Sequence, residues 1–259
     1  KFIGIEMNIT QVLEYLNKCK KKDFIYNNYS PNSLLKYERK YFTNDNAEII
    51  DGIRCQIQEW FDSKKITEKE YIHLIAILIE TTSLFSNIPG TYGAFLKKWD
   101  SRALKKLSLT EEIHNNLLCE NTNNNITYND DIKNIIKDVK CDIMYLDPPY
   151  NERDYSSYYH VLETISKYDN PELKDNKTGT KKIIKKSNWC IKKKVKDELD
   201  YIIKHSTAKL VLLSYNNEGF MTQDEIKSIF EKYGRYTSQK KQVKRFKCNK
   251  TNTDIIVYE

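Results

Sequence analysis

The sequence predicts an α/β protein with a mainly helical insertion, and three observations lead to this prediction. Apolar residues recur at helical spacing through most of the first 110 residues. After an Asn-rich stretch, strand and helix patterns alternate, as they do in α/β sheets. One of these later strands, at 142–146, is apolar and leads directly into Asp147-Pro148-Pro149-Tyr150. Because ligands bind at the carboxyl ends of strands in open α/β sheets, this turn is the expected site.

The composition is typical of a globular protein and excludes a fibrous or membrane-spanning one. Of the 259 residues, 39% are hydrophobic and 31% charged, and no apolar run reaches the roughly 20 residues that cross a bilayer. The formal net charge of +7 favours polyanionic partners, although many proteins have such an excess without binding one. No secretory leader pattern is visible, so a cytoplasmic setting is expected. The six cysteines stand singly, without ligand spacing, so the sequence predicts no metal site.

Three helices are predicted in the first half of the chain. The first spans 10–19, and the second runs from an Asn-Asp-Asn cap through 44–61. The third opens with the capping box formed by Thr67 and Glu70. These segments bury their apolar faces against one another, which predicts a helical domain.

The second half is predicted to alternate between strands and helices. The apolar strand at 209–214 reads as buried on both faces, as parallel strands are. A capping box at Thr222 and Glu225 opens the last helix. The remaining elements are a strand at 126–128, a helix on 132–136, helices at 158–165 and 194–205, and a terminal hairpin of 236–247 with 254–258.

The residue types at 147–150 suit an amino group on a planar base. Two successive prolines lock the backbone and leave carbonyl groups without neighbouring amide donors. The Asp147 carboxylate and the Pro148 carbonyl can both accept hydrogen bonds from an exocyclic NH2, which directs the nitrogen lone pair toward an electrophile. Tyr150 can stack on the base. The alternative, a strand that simply ends in a proline turn, is disfavoured by the apolar strand before the turn and the aromatic ring after it.

Together with five other segments, this turn resembles the D12 class of adenine-specific DNA methyltransferases, which includes the Dam enzymes. The resemblance implies a Rossmann-like methyltransferase sheet with an inserted, mainly helical target-recognition domain. It also implies methyl transfer from S-adenosyl-L-methionine to the 6-amino group of a flipped-out adenine in double-stranded DNA, in a bacterial restriction-modification system. The other segments are Tyr26-Asn27-Asn28-Tyr29-Ser30, Tyr41-Phe42-Thr43, the loop at 92–99, the helix at 159–164 and Ser214-Tyr215-Asn216-Asn217-Glu218-Gly219.

The resemblance also implies roles for residues and domains. Residues 1–20 would be a helix of the catalytic domain, 21–110 the target-recognition domain, and 111–259 the catalytic α/β domain. Residues 147–150 would be catalytic, with Asp147 also beside the cofactor. Asp131 would lie beside the cofactor's adenosine, and the equally weighted alternative is a carboxylate at a helix N-terminus.

A loop at 87–102 mixes turn formers with aromatic and cationic residues, and it fits phosphate or base-edge contacts in DNA. The alternative is an ordinary solvated basic loop. Two further basic stretches, at 181–194 and 240–245, read either as DNA contacts or as solvated faces. The candidate DNA-binding residues of the loop are Tyr92, Lys97, Lys98, Trp99 and Arg102.

One element implied by the resemblance is missing. None of the seven glycines forms a G-x-G turn after an apolar strand, and such a turn is where the family's cofactor rests. The family's first strand lies beside the Asp-Pro-Pro-Tyr strand, so the strand at 142–146 is predicted to have an open edge. Three explanations stand: a second polypeptide supplies the missing strands, the chain was trimmed from a longer parent, or it is a remnant that folds differently. The functional alternative to an active enzyme is a catalytically silent DNA-binding or regulatory remnant. Methylation of cytosine, RNA or a protein glutamine is a weaker alternative, because Asp at 147 favours adenine.

Overall fold

The computed structural model describes residues 2–32, 36–118, 125–182, 186–243 and 253–258. The chain divides into two compact units. Residues Lys1–Asn123 and Ser156–Ile183 form the helical unit, and Asn124–Tyr155 with Ile184–Glu259 form the sheet unit. The mixture of helices with a small sheet containing a parallel strand pair confirms the predicted α/β class.

The described helices and strands are as follows. The helices are α1 (Ile9–Leu16), α2 (Phe24–Tyr29), α3 (Asn44–Asp62), α4 (Glu68–Leu84), α5 (Glu111–Asn116), α6 (Ile132–Ile135), α7 (Tyr155–Tyr158), α8 (His160–Lys167), α9 (Val195–His205) and α10 (Gln223–Phe230). The strands are β1 (Ile143–Leu146), β2 (Leu210–Asn216), β3 (Ser238–Val243) and β4 (Thr253–Tyr258), and short 3-10 turns lie at Ile3–Ile5 and Asn188–Cys190.

Side-chain caps begin the long helices of the helical unit, but α3 is capped by Thr43 and not by the predicted Asn44-Asp45-Asn46, which lie in its first turn. The Thr43 hydroxyl accepts a hydrogen bond from the amide of Asn46 at the start of α3. At the start of α4, Thr67 and Glu70 form the predicted capping box. Each cap satisfies amide donors that the first helical turn leaves without partners. Helices α3 and α4 then pack against each other as neighbours joined by a short turn.

The packing of the helical unit differs from the predicted domain boundaries. Its core includes Leu16 of α1 and Val161 of α8, which were placed in the catalytic domain. The fully buried Arg54 explains why α8 belongs here, because its guanidinium donates hydrogen bonds to the carbonyls of Ile165 (2.8 Å) and Ser166 (3.2 Å). A buried guanidinium needs such acceptors, and the last turn of a helix offers carbonyls without helical partners.

The sheet unit contains a four-stranded sheet in the order β1-β2-β4-β3. Strands β1 and β2 are parallel, with Ile143 opposite Leu210, and β4 lies antiparallel between β2 and β3. One face packs on α9 and α10 through a core that includes Leu146, Leu213 and Ile226. The predicted terminal hairpin is confirmed as the β3–β4 pair, and the connection at 244–252 lies outside the described residues.

Two strand predictions are wrong. Residues 126–128 form no strand in the structure. The parallel pair is buried on one face only, because side chains alternate along a strand and only one set of them meets α9 and α10. On the other face Ile143 is 61% exposed, Tyr145 60% and Leu210 41%. Within the described residues, β1 pairs with β2 alone, as the predicted open edge requires.

The buried His160, at the start of α8, couples the stability of the helical unit to pH. Its Nε2 lies 2.9 Å from the carbonyl oxygen of Tyr92, and its Nδ1 lies 3.4 Å from the Tyr29 hydroxyl. Since a carbonyl can only accept, Nε2 bears the proton of a neutral ring. Burial lowers the pKa of His160 to about 4.

We predict that the wild-type chain loses about 2 kcal/mol of unfolding free energy through His160 between pH 7 and pH 5. In the unfolded chain the imidazole binds a proton near its ordinary pKa of 6.5, whereas the buried ring stays neutral until about pH 4. Urea unfolding at both pH values tests this, with His160→Gln expected to lose less than the wild type on acidification. His205→Gln, in the other unit, is the matched control. Equal losses in the wild type and His160→Gln would contradict the prediction.

Candidate active site at the end of strand β1

The Asp-Pro-Pro-Tyr turn begins directly after Leu146, the last residue of β1. Asp147 is exposed, whereas Pro148, Pro149 and Tyr150 are half-buried. Strands β1 and β2 are parallel, so the turn lies at the sheet edge where both strands have their carboxyl ends. The structure therefore places the carboxylate at the position where α/β sheets bind ligands.

Hydrogen bonds to the carbonyl of Tyr150 hold the end of this turn. The amide of Phe220 donates to that oxygen at 2.9 Å, and the hydroxyl of Tyr215 donates to it at 3.2 Å. Tyr215 lies on β2 and is only 2% exposed. Its oxygen also accepts a hydrogen bond from the amide of Met221 at 3.3 Å. The backbone after the two prolines is thus fixed by β2 and by the segment that follows it.

A tight turn after β2 makes this arrangement possible. The side-chain oxygen of Asn216 accepts from the amide of Glu218 at 3.2 Å, and the Asn216 carbonyl accepts from the amide of Gly219 at 3.2 Å. A Cβ atom on Gly219 would lie 2.2 Å from the ring of Tyr215, so the backbone passes the ring only as glycine. This segment is part of the family resemblance, but no pattern in the sequence predicts that it supports the Asp-Pro-Pro-Tyr turn.

A second contact holds the chain beyond Tyr150. The carboxylate of Asp154 accepts a hydrogen bond from the amide of Ser187 at 3.0 Å and a weak one from the thiol of Cys190 at 3.9 Å. Trp189, in the same 3-10 turn, is buried in the core beneath β1. Burial, with Asp154 beside the thiol, raises the pKa of Cys190 to about 11. Cys190 is therefore a neutral thiol at physiological pH and unsuited to nucleophilic attack.

Asp131 adopts the geometry of a helix cap. Its carboxylate accepts a hydrogen bond from the amide of Lys133 at 3.1 Å, at the N-terminus of α6, and the side chain is exposed. The alternative interpretation of Asp131 is therefore realised in the structure. Its place beside a cofactor stays a prediction, and an exposed carboxylate that caps a helix can have both roles.

The candidate DNA-binding residues all belong to the helical unit, and the structure corrects one of them. Lys97 and Lys98 are exposed, and Trp99 is half-buried. Arg102 is exposed and donates to the carbonyl of Ile88 at 3.0 Å. Tyr92 is only 2% exposed and belongs to the core, so the prediction that its ring contacts DNA is wrong. The alternation of aromatic and basic residues did not reveal which of them point inward.

The described part of the chain shows neither a metal-ligand cluster nor a membrane-spanning helix. It contains no group of three or more His, Cys, Asp or Glu side chains arranged to hold a metal ion. None of its helices combines the length and hydropathy needed to cross a membrane.

A parallel strand pair with an exposed Asp-Pro-Pro-Tyr turn at its carboxyl end is typical of methyltransferases that act on the amino group of a base. Comparison with known protein families agrees with this class. The family model for the D12 class N6 adenine-specific DNA methyltransferase matches residues 5–229, and the chain belongs to that family. The predicted resemblance is confirmed.

Similar proteins include several type II methyltransferases. The chain is 43% identical to type II methyltransferase M.FokI of Planomicrobium okeanokoites over 88% of its own length, but this region is only 35% of the relative. It is 35% identical to M.NlaIII of Neisseria lactamica, over 96% of the chain and 74% of the relative. It is 31% identical to M.CviAII of Paramecium bursaria Chlorella virus 1, over 93% of the chain and 71% of the relative. No solved structure gives a significant match.

We predict that Gly219→Ala destabilises the sheet unit by about 1–3 kcal/mol, because the added methyl group overlaps the ring of Tyr215. The displaced ring would also loosen its hydrogen bond to the Tyr150 carbonyl. Gly234→Ala is the matched control, since nothing lies within 4 Å of the Cβ it would add. Urea unfolding of the two variants measures the difference. Equal stability of the two would show that the turn yields without cost.

Proposed function

We propose that this chain is the catalytic and DNA-binding part of a site-specific DNA adenine methyltransferase. It would transfer a methyl group from S-adenosyl-L-methionine to the 6-amino group of an adenine flipped out of the duplex. The observation that supports this most directly is the exposed Asp147 carboxylate, on a turn fixed at the carboxyl end of a parallel strand. Membership of the D12 family supports adenine as the substrate base.

In this mechanism the chain orients the amine rather than attacking covalently. The Asp147 carboxylate and the Pro148 carbonyl each accept a hydrogen bond from one N–H of the 6-amino group, and Tyr150 stacks on the adenine ring. The lone pair, otherwise delocalised into the ring, then points out of the base plane toward the methyl donor. S-adenosyl-L-methionine supplies an electrophilic methyl sulfonium when bound. The turn that carries these groups is held at its end, where the Tyr150 carbonyl accepts hydrogen bonds from Tyr215 and Phe220.

The residues present fit part of a pocket for this cofactor. Asp147 and Asp131 are exposed carboxylates, which suit the cationic and hydroxyl groups of such a molecule. The chain has no glycine-rich turn after an apolar strand, and that turn would complete the pocket. We infer that the chain's own contribution is the acidic side of the site.

The helical unit is proposed as the target-recognition part. Lys97, Lys98, Trp99 and Arg102 would contact the DNA, with the lysines on phosphates. The relatives M.FokI and M.NlaIII are named type II methyltransferases, which supports a place in a restriction-modification system. A cytoplasmic setting follows from a role on cellular DNA.

A second candidate is a DNA-binding half that needs another polypeptide to bind the cofactor. The open edge of β1 and the exposed Ile143, Tyr145 and Leu210 favour it. An unpaired strand edge beside apolar side chains is a template for a further strand. A polypeptide with the glycine-rich turn and its flanking strands would fit there.

Calorimetric titration of S-adenosyl-L-methionine into the purified chain separates the two candidates. Because the sequence has no glycine-rich turn after an apolar strand, we predict no measurable binding by the chain alone, with binding restored by a polypeptide that bears the glycine-rich strands. The intact mass, recorded first, must show a single species of 30.8 kDa. Binding by that single species would reject the second candidate and show that the pocket is complete.

We predict that Asp147→Ala lowers methyl transfer at least about 100-fold, because the amine loses its orienting acceptor. The assay measures transfer of labelled methyl groups into N6-methyladenine, in the form of the protein that binds the cofactor. Salt-dependent DNA binding should stay within about twofold of the wild type. Asp142→Ala is the matched control, since this exposed aspartate lies just before the opposite end of β1 and pairs with Lys209. Joint loss of DNA binding and methylation in Asp147→Ala would contradict the assigned role.

A further inference from the structure

We infer that a second loop of the helical unit, the turn at 174–182, binds the DNA backbone together with the loop at 91–98. We call these two segments the paired loops. The inference rests on the proposed function, since it takes duplex DNA as the substrate, and it assigns phosphate contacts to residues outside the predicted DNA-binding loop.

The turn at 174–182 is closed and well defined. An antiparallel bridge joins Leu173 and Lys181, and the amide of Lys174 donates to the carbonyl of Thr180 at 2.8 Å. Within the turn, the side chain of Asn176 accepts from the amide of Gly179 at 2.8 Å. Gly179 has a φ of +61°, which favours glycine.

Buried side chains tie this turn to the first loop. The hydroxyl of Tyr41 lies 2.9 Å from the carbonyl oxygen of Tyr92 and 3.0 Å from that of Thr178, so one phenol serves both paired loops. The hydroxyl of Tyr29 donates to the carbonyl of Gly179 at 3.1 Å. These contacts fix the two loops to the same core.

Arg39 adds a third tie beneath the turn. Its guanidinium is nearly fully buried and donates to the carbonyls of Asn28 (3.1 Å) and Asn176 (3.0 Å). A Cβ atom on Gly179 would lie 2.4 Å from Cζ of Arg39, so the backbone sits directly on the guanidinium. A buried donor left without its acceptor costs about 1–3 kcal/mol or more. The paired loops are therefore held in one geometry before any ligand arrives.

The outer surface of the paired loops is strongly basic. The two segments contain six lysines and one aspartate, a net charge of +5, against +7 for the whole chain, and one of the six, Lys182, pairs with Glu172 just before the turn. Lys177 lies with its Nζ 5.9 Å from the ring centre of Phe95, which brings the second loop beside the first. Lys97, Lys98, Lys174 and Lys177 are all exposed.

Flexible lysine side chains on a rigid loop backbone suit contacts with phosphates rather than with bases. Lysine binds a phosphate as a mobile cation, whereas base readout needs fixed, often bidentate, donors. Charge of one sign concentrated on prearranged loops would position the duplex without selecting its sequence. We therefore assign the paired loops to the sequence-independent part of DNA binding.

The test is the salt dependence of duplex binding by the full chain, measured by fluorescence anisotropy on a labelled 30-base-pair duplex. Each phosphate contact contributes about −0.9 to the slope of log affinity against log salt. Lys174→Ala/Lys177→Ala should reduce the steepness of this slope by about 2 and weaken binding at least about 10-fold near 100 mM salt. The slope separates lost phosphate contacts from a loss of folded protein, which lowers only the active fraction.

Lys65→Ala/Lys69→Ala is the matched control. Both lysines are exposed and lie where α3 ends and α4 begins, whereas Tyr41 precedes α3. A helix of 19 residues separates the two ends by about 28 Å. This control should bind DNA with the wild-type slope.

Tyr41→Phe tests the fixed geometry, since it keeps every charge and removes only the hydroxyl shared by the paired loops. We expect its affinity to fall about threefold or more with the slope unchanged. Wild-type affinity in this variant would overturn the role of the shared hydroxyl. Equal slopes for the Lys174/Lys177 and Lys65/Lys69 variants would overturn the inference and leave the proposed function standing. A wild-type chain that binds no duplex at all would overturn both.

Discussion

The candidate site depends on how a proline-rich turn is held in place. Pro148 and Pro149 have no amide hydrogen, so half of the residues in this turn offer no backbone donor to hold it. Its end is held instead through an acceptor, the carbonyl of Tyr150, which receives hydrogen bonds from Phe220 and Tyr215. The same prolines that leave carbonyls open for a substrate amine therefore make the turn dependent on β2. This dependence explains why a buried tyrosine and a glycine without room for a side chain lie together behind the site.

The helical unit uses the same device on its loops. Buried phenols hold loop carbonyls: the Tyr41 hydroxyl shares its proton between the carbonyls of Tyr92 and Thr178, and the Tyr29 hydroxyl donates to that of Gly179. A phenol buries a large apolar ring and presents one hydroxyl at its tip. It can thus belong to the core and still fix a surface loop. In both units the segments with proposed functions are loops, and hydrogen bonds from buried core tyrosines fix their geometry. Such loops suit sites that must be arranged before the ligand binds.

The sequence predicted the local features of this fold better than its long-range ones. The capping boxes at Thr67 and Thr222 and the strand at β1 were correct because each depends on residues within a few positions. The domain boundaries differed because α8 is tied to α3 by Arg54, 111 residues away in sequence. The inward position of Tyr92 and the supporting role of Tyr215 depend on contacts of the same kind. Such partners leave no periodic signal in a single sequence.

The exposed face of the β1–β2 pair bears on the choice between the two proposed functions, because its side chains are apolar. Full burial of an aliphatic side chain such as Ile143 or Leu210 is worth roughly 1.5–3 kcal/mol, and here Ile143 is 61% exposed and Leu210 41%. In the described part of the chain, β1 also has one unpaired edge, on the side away from β2. A sheet patterned for burial on both faces, but covered on one, has binding free energy available for whatever completes it. We propose that one segment, from a longer form of this chain or from a second polypeptide, would answer both this uncovered face and the missing glycine-rich turn, by pairing with β1, covering Ile143 and Tyr145, and bringing a glycine-rich cofactor loop toward Asp147.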